Sequence, residues 1–271
     1  MTFTILGQGF LGTLLLAFLR RQGHDCVAPP RAELDQLRGR KLGHVLYCIG
    51  VTADFRSRPL DTARAHVCRL AEVLDTTGFE SLLYLSSTRV YGSAGSGRET
   101  EDAFRVDPAS PNDLYNLSKL MGESLCFSST NRNVRVARLS NVYGPDWTSE
   151  NFLPSVVRSA VDHGSVVFRS APDSARDYIA VEDVVQLLPE ISLHGRERVY
   201  NVASGEPVTN AQLAAKLQAS GCAVSFAESA PAVTYPRIDT SRVREEFPFT
   251  PRGVLDDLPA LLAQYRNWSV T

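Results

Sequence analysis

A doubly wound α/β fold with a parallel sheet and a smaller mixed α/β lobe is predicted by three features of the 271-residue sequence. Near-continuous apolar runs alternate with helical patterns through the first half. A glycine-rich turn joins the first run to the first helix, and the elements become shorter after Gly144-Pro145. The runs at 3–6, 26–28, 44–49, 82–85 and 134–139 are expected strands, and their lack of alternation implies a sheet covered on both faces. Helices are expected at 10–22, 61–76 and 114–127, the first stopped by Gly23. Residues 93–113, rich in Gly, Ser, Pro and acids, read as an ordered loop bordering a site. Farther on, the pattern predicts helices near 151–162, 181–188, 210–219 and 254–265 and a strand at 166–168. The expected division puts residues 1–145 and about 176–198 in the large sheet domain, and about 146–175 and 199–271 in the second lobe.

Composition narrows the function classes. A hydrophobic share of 44% with 21% charged residues supplies a full core, which excludes global disorder. A formal charge of −2 makes no field to gather nucleic acid or anionic lipid. The longest early apolar stretch, 11–19, contains Thr13 and ends at Arg20-Arg21, far short of the ~18 residues a membrane span needs. The N-terminus runs straight into the first strand without a leader pattern, so a cytoplasmic location is expected. Five cysteines, odd in number and without a close pair, argue against a disulfide framework or a metal cluster; no metal is expected.

The first strand–helix junction reads Gly7-Gln8-Gly9-Phe10-Leu11-Gly12, the G-x-G-x-x-G pattern of a Rossmann-like dinucleotide site. Gly7 permits the tight turn, Gly9 lets backbone approach a pyrophosphate, and Gly12 lets helix and strand pack closely. The large domain is therefore expected to bind a dinucleotide. The second strand ends in Val27-Ala28-Pro29-Pro30-Arg31, without the acid that bonds an NAD ribose. Arg31 could instead meet a 2′-phosphate, which favours NADP over NAD, although Glu33 keeps NAD open.

Tyr115 and Lys119 stand at i and i+4 in a helical stretch and so project from one face. Carbinol–ketone interconversion needs a proton carrier at the oxygen. A phenol with a pKa near 10 serves poorly unless a cation lowers it. With only three lysines in the chain, Lys119 is placed to do that. Ser87, just past the fourth strand, is the expected third group, polarising the reacting oxygen.

Together with Ser86-Ser87-Thr88-Arg89-Val90-Tyr91-Gly92, these motifs resemble the extended short-chain dehydrogenase/reductase family, the NAD-dependent epimerase/dehydratase group. Arg138-Leu139-Ser140-Asn141-Val142-Tyr143-Gly144-Pro145, Asn151-Phe152-Leu153-Pro154 and Arg176-Asp177-Tyr178-Ile179-Ala180-Val181-Glu182-Asp183 extend the likeness, as do Tyr200-Asn201-Val202 and Asp239-Thr240-Ser241-Arg242. The resemblance implies a catalytic Ser87, Tyr115 and Lys119, with Gly7, Gly9 and Gly12 on the pyrophosphate. Phe10, Leu11, Gly50 and Arg31 join Tyr115 and Lys119 as cofactor contacts. It further implies a nucleotide-activated sugar as substrate, with Asn141, Asn151 and Phe152 near it and Arg176 toward its diphosphate. An ion pair of Arg176 with Asp177 or Glu182 is the competing reading. A homodimer through the helices at 61–76 and 114–127 is implied as well, with Val67, Leu70 and Leu74 fitting either that interface or the core.

Departures from the family pattern narrow the reaction. Relatives that dehydrate a hexose carry Asp-Glu directly after the catalytic hydroxyl; here the pair is Thr88-Arg89. No histidine or cysteine falls near 141–154, which disfavours double epimerisation. His66 stands where relatives have an asparagine and reads more readily as a core or interface residue. The leading expectation is an NAD(P)-dependent oxidoreductase acting on a sugar nucleotide, most simply a 4-ketoreductase. The alternatives are a 4-epimerase, a reductase of a non-nucleotide ketone and a non-catalytic NADP sensor.

Overall fold

The computed structural model describes residues 1–100 and 103–269. Its strands are Thr2–Leu6 (β1), Asp25–Val27 (β2), His44–Tyr47 (β3), Ser81–Ser87 (β4), Val134–Leu139 (β5) and Asn141–Tyr143 (β6), followed by Ser165–Phe168 (β7), Ala175–Ala180 (β8), Val199–Val202 (β9), Pro207–Thr209 (β10) and Ala223–Phe226 (β11). The α-helices are Phe10–Arg21 (α1), Pro59–Ala63 (α2), Arg69–Thr76 (α3), Leu114–Ser128 (α4), Phe152–Asp162 (α5), Val181–His194 (α6), Asn210–Ala219 (α7), Ser241–Glu246 (α8) and Val254–Ser269 (α9).

Six parallel strands form the main sheet in the order β2-β1-β3-β4-β5-β9. The order reverses between β1 and β3, which opens a crevice beyond their carboxyl ends, where folds of this kind bind ligands. One face of the sheet packs α1 and α6 through Leu15, Leu19, Val184 and Leu188, and the other packs α3 and α4 through Leu70, Val73 and Cys126. Coverage on both faces explains why every residue of β5 is buried and why the sequence lacks alternation there. A second core, with Trp147, Leu153, Phe168, Leu213, Leu258 and Tyr265, is built from α5, α7 and α9 against the smaller sheets. Those are the three-stranded β10-β8-β6 and the two-stranded β11-β7.

Two expectations are corrected. The lobe boundary expected at 199 falls too early, because β9 pairs with Val136–Leu139 as the sixth strand of the main sheet. Val243 and Phe247, at α8, likewise pack into the main core. The helix expected over 61–76 is interrupted: a π-helical turn, Arg64–Cys68, joins α2 to α3 and turns His66 fully inward. Of the stripe read at Val67, Leu70 and Leu74, Leu70 is fully buried and belongs to the core. The 93–113 loop touches the site through Asn112, whose carbonyl accepts from Arg89 Nη2 at 3.1 Å; residues 101 and 102 of that loop lie outside the described residues.

Candidate active site

A cleft of about 510 Å³ opens over the carboxyl ends of β1, β3 and β4 and is closed on the far side by the second lobe. Its walls bring together Gly9, Phe10, Leu11, Gly12, Gly50, Ser87, Tyr115, Lys119, Asn141, Asn151, Phe152 and Arg176, all singled out from sequence. Two expected residues do not line it. Gly7 lies beneath, at φ +108°, packed on the backbone of Cys48 and Ile49. Arg31 is exposed at the start of a 3₁₀ turn, Arg31–Leu37, that follows β2.

The turn before α1 suits a pyrophosphate on structural grounds. A Cβ at Gly12 would strike the Gly7 carbonyl oxygen, so close helix–strand packing depends on that glycine. Gly9 caps the helix without a side-chain hydrogen bond, and the space where its Cβ would stand is open. The first-turn N–H groups of α1 are therefore bare toward the cleft, which is the donor set a phosphate requires.

α4 supplies the proton-handling groups, and its buried face is unusually polar. Tyr115, Ser118, Lys119, Gly122, Glu123 and Cys126 follow helical spacing against β4. Charged residues are seldom buried without partners, and each here has one. Lys119 Nζ donates to the Leu85 carbonyl at 2.8 Å. Glu123 receives Arg138 through both oxygens, the shortest contact being 2.6 Å, and the Ser86 hydroxyl at 2.5 Å. Arg138 reaches on to the Tyr91 hydroxyl, which donates to Asn201 Oδ1 at 2.7 Å.

Burial raises the Tyr115 phenol above its ordinary pKa, while the nearby Ser87 hydroxyl and the Arg89 guanidinium pull it back. Burial also lowers Lys119 to about 7, with Glu123 as the main counterweight. Two basic groups thus lie near the ring, Arg89 Cζ at 5.4 Å and Lys119 Nζ at 5.8 Å from its centroid. Sequence reasoning named only the lysine. Arg89 escaped because its other ring partner, Phe55 at 5.0 Å, is distant in sequence and becomes a neighbour only through the fold.

His66 explains how the floor of the cleft is fixed. Its Nε2 accepts from the Val51 N–H at 3.2 Å, so Nδ1 carries the proton and donates to Ser118 Oγ at 2.8 Å; Ser118 in turn donates to the Tyr115 carbonyl at 2.9 Å. Burial and Lys119 hold the imidazole neutral, with a pKa lowered to about 2. The loop after β3 is thereby tied to the first turns of α4. On the second lobe, Arg176 stacks over Phe152 at 4.2 Å and makes no ion pair with Asp177 or Glu182 among the described residues. The guanidinium lies beside the buried Tyr178 hydroxyl, whose burial-raised pKa it pulls back, whereas Asp177 is occupied by Ser204 and Gly205. Asn141 Nδ2 donates to the Asp177 carbonyl at 2.7 Å. Tyr235, Pro236 and Ile238 complete the wall and were not anticipated. No group of three or more potential metal ligands occurs among the described residues, and no helix there is long and apolar enough to cross a membrane.

The sequence profile of the NAD dependent epimerase/dehydratase family matches residues 4–203. The chain is 31% identical over 206 residues to a dTDP-glucose 4,6-dehydratase of Streptomyces griseus, a match covering 70% of this chain and 61% of that protein. It is 28% identical over 158 residues to the dTDP-4-dehydro-6-deoxyglucose reductase of Escherichia coli, covering 55% of this chain and 48% of that one. The chain thus spans about half to three fifths of the length of these two relatives. Among solved structures, MoeE5 in complex with UDP-glucose and NAD superposes with a TM-score of 0.81 over 100% of both chains at 21% identity. RMD from Pseudomonas aeruginosa complexed with NADPH does so with 0.75 over 98% of this chain and 100% of that one at 22% identity. At such identities the structural likeness is one of fold.

Proposed function

The chain belongs to the NAD dependent epimerase/dehydratase family, and from that membership we propose that it reduces or oxidises a carbinol–ketone carbon of a nucleotide-activated sugar, most simply as a 4-ketoreductase. The observation that carries the proposal is the meeting of Ser87, Tyr115 and Lys119 at one point of the cleft, beside the bare first turn of α1. Bound along that turn, a nicotinamide cofactor supplies or accepts the hydride. Gly9, Phe10, Leu11 and Gly12 hold its pyrophosphate through backbone N–H groups, and Gly50 leaves room above His66.

Tyr115 transfers the proton at the substrate oxygen, and the Ser87 hydroxyl donates a hydrogen bond to the same atom. Lys119, whose charged form Glu123 supports against burial, stands near the Tyr115 ring and in that form favours the phenolate, as does Arg89. Arg176, whose guanidinium lines the cleft over Phe152 and forms no ion pair among the described residues, takes a phosphate oxygen of the sugar nucleotide, and Asn141 and Asn151 face the sugar. Thr88 and Arg89 supply no carboxyl acid or base next to Ser87, which speaks against water elimination. NADP is favoured over NAD because Ala28, Pro29 and Pro30 follow β2 without a carboxylate and Arg31 stands exposed next to them. A cytoplasmic homodimer belongs to the same reading, with the exposed Leu60, Met121 and Phe127 available on the outer helices.

The test is to mix the protein with NADPH or NADH and a nucleotide-linked 4-keto sugar and follow nicotinamide absorbance. Net oxidation is expected, and Tyr115→Phe should slow it about a hundredfold or more. Tightly retained cofactor with sugar isomerisation and no net oxidation would instead identify a 4-epimerase. An unimpaired Tyr115→Phe variant would remove the proposed proton carrier.

A further inference from the structure

The reacting end of the cleft holds a guanidinium whose charge draws the Tyr115 phenol down but whose hydrogen-bond donors the proton-transfer scheme leaves unused. Arg89 follows Ser87 by two positions, is half-buried, and lies beside the adjoining rings of Phe55 and Tyr115, at 5.0 Å and 5.4 Å from their centroids, which are themselves 5.5 Å apart. Among the described residues only its Nη2 finds a side-chain-directed acceptor, the Asn112 carbonyl at 3.1 Å, so Nε and Nη1 carry donors without a protein partner. Among the described residues no carboxylate forms an ion pair with it. The acids lining the cleft are Asp146 and Asp177, and Asp177 is bound by Ser204 and Gly205. A fixed guanidinium with spare donors, stacked on the ring that handles the reacting oxygen, selects a planar anion held a bond or two from the reacting carbon.

We propose that Arg89 is a specificity-determining residue that recognises a carboxylate on the carbon adjacent to the reacting carbon, making the preferred substrate a nucleotide-activated uronic acid. The assignment rests on the sugar-nucleotide reading above and adds a second anionic group to it. Arg176, on the second lobe, takes the diphosphate, and Arg89, on the first, takes the carboxylate. The two ring contacts and the hydrogen bond to the Asn112 carbonyl already restrain the guanidinium, so less side-chain freedom is lost when the ligand arrives.

Matched pairs that differ only in the carboxylate test it: UDP-glucuronate against UDP-glucose, and dTDP-glucuronate against dTDP-glucose. Each is titrated calorimetrically into the NADP(H)-loaded protein. In at least one pair the uronate is expected to bind about tenfold or more tighter, the gain of a charged hydrogen-bonded pair. The ratio should collapse toward one in Arg89→Gln and survive in part in Arg89→Lys, with NADP(H) binding by each variant reporting an intact fold. If Arg89→Gln fails to bind NADP(H), the wild-type ratio and Arg89→Lys decide. Equal affinity for both members of each pair, or a preference that persists in Arg89→Gln, overturns the Arg89 assignment while leaving the sugar-nucleotide reading in place. Binding of NADP(H) but of no sugar nucleotide overturns both.

Discussion

His66 and Lys119 are buried groups held away from their ordinary protonation, and each makes stability depend on pH in a different window. The folded chain keeps His66 neutral down to about 2 against an ordinary value of 6.5, so between those limits the unfolded chain binds more protons. The contribution of His66 is therefore full above about 6.5 and falls as the solution is acidified, by up to about 1.4 kcal/mol per pH unit. For Lys119 the folded value near 7 lies below the ordinary 10.5, and the unfolded chain again binds more protons in between, so stability climbs from about pH 7 to 10. Urea unfolding across pH should show both slopes. His66→Gln should remove the acidic one and Lys119→Met the alkaline one. If either variant keeps the wild-type slope in its window, that side chain is not the titrating group.

At the scale of elements, α4 owes its position to an absence of side chain. A methyl at Gly122 would strike the Tyr84 hydroxyl and come within 2.9 Å of the His66 carbonyl oxygen, so the helix lies against β4 and the π-helical turn only because residue 122 is glycine. Helix propensity alone would reward Gly122→Ala by about 1 kcal/mol. Overpacking costs about 1–3 kcal/mol and pulls the other way, so a net loss measures the overlap. The expected outcome is a less stable protein, against a change within about 0.5 kcal/mol for Met121→Ala on the exposed side of the same helix. An equally stable Gly122→Ala protein would show that the contact yields freely. Elements of this kind mark the limit of what the sequence discloses. The continuous apolar runs of β1, β3, β4 and β5 and the glycine turn were legible, because two-sided burial leaves a local compositional trace. The same holds for Tyr115 and Lys119, whose helical spacing is local. The π-helical turn at His66, the Glu123–Arg138 pair and the stacking of Arg89 on Phe55 join residues far apart in sequence, so no local pattern announces them. β9 was misassigned for a related reason: a four-residue strand shows its sheet only through its partner.

The whole molecule consists of two cores with a cleft between them, and the residues assigned to cofactor and to sugar nucleotide divide along that line. Gly9–Gly12, Gly50 and Ser87 sit at the start of α1, in the coil after β3 and at the end of β4, on the main-sheet side, whereas Asn151, Phe152 and Arg176 belong to the second lobe, with Tyr235 and Pro236 on the intervening coil. Each ligand binds only the folded state and stabilises it by mass action, about 2.7 kcal/mol at a hundredfold excess over its Kd. Local opening is suppressed first where the ligand sits. Amide hydrogen exchange should therefore slow at residues 7–12, 48–52 and 85–89 when NADP(H) is added. It should slow at 151–154, 176–178 and 235–238 when a sugar nucleotide follows. Protection of the second set by cofactor alone would mean that the lobes close on the cofactor before substrate arrives, and protection of neither set by saturating NADP(H) would remove the cofactor from this cleft. The sequential pattern is expected because the bare α1 turn and its β-strand neighbours are already in place without the second lobe's help, held by the fully buried Ile5, Leu6 and Leu46 beneath them.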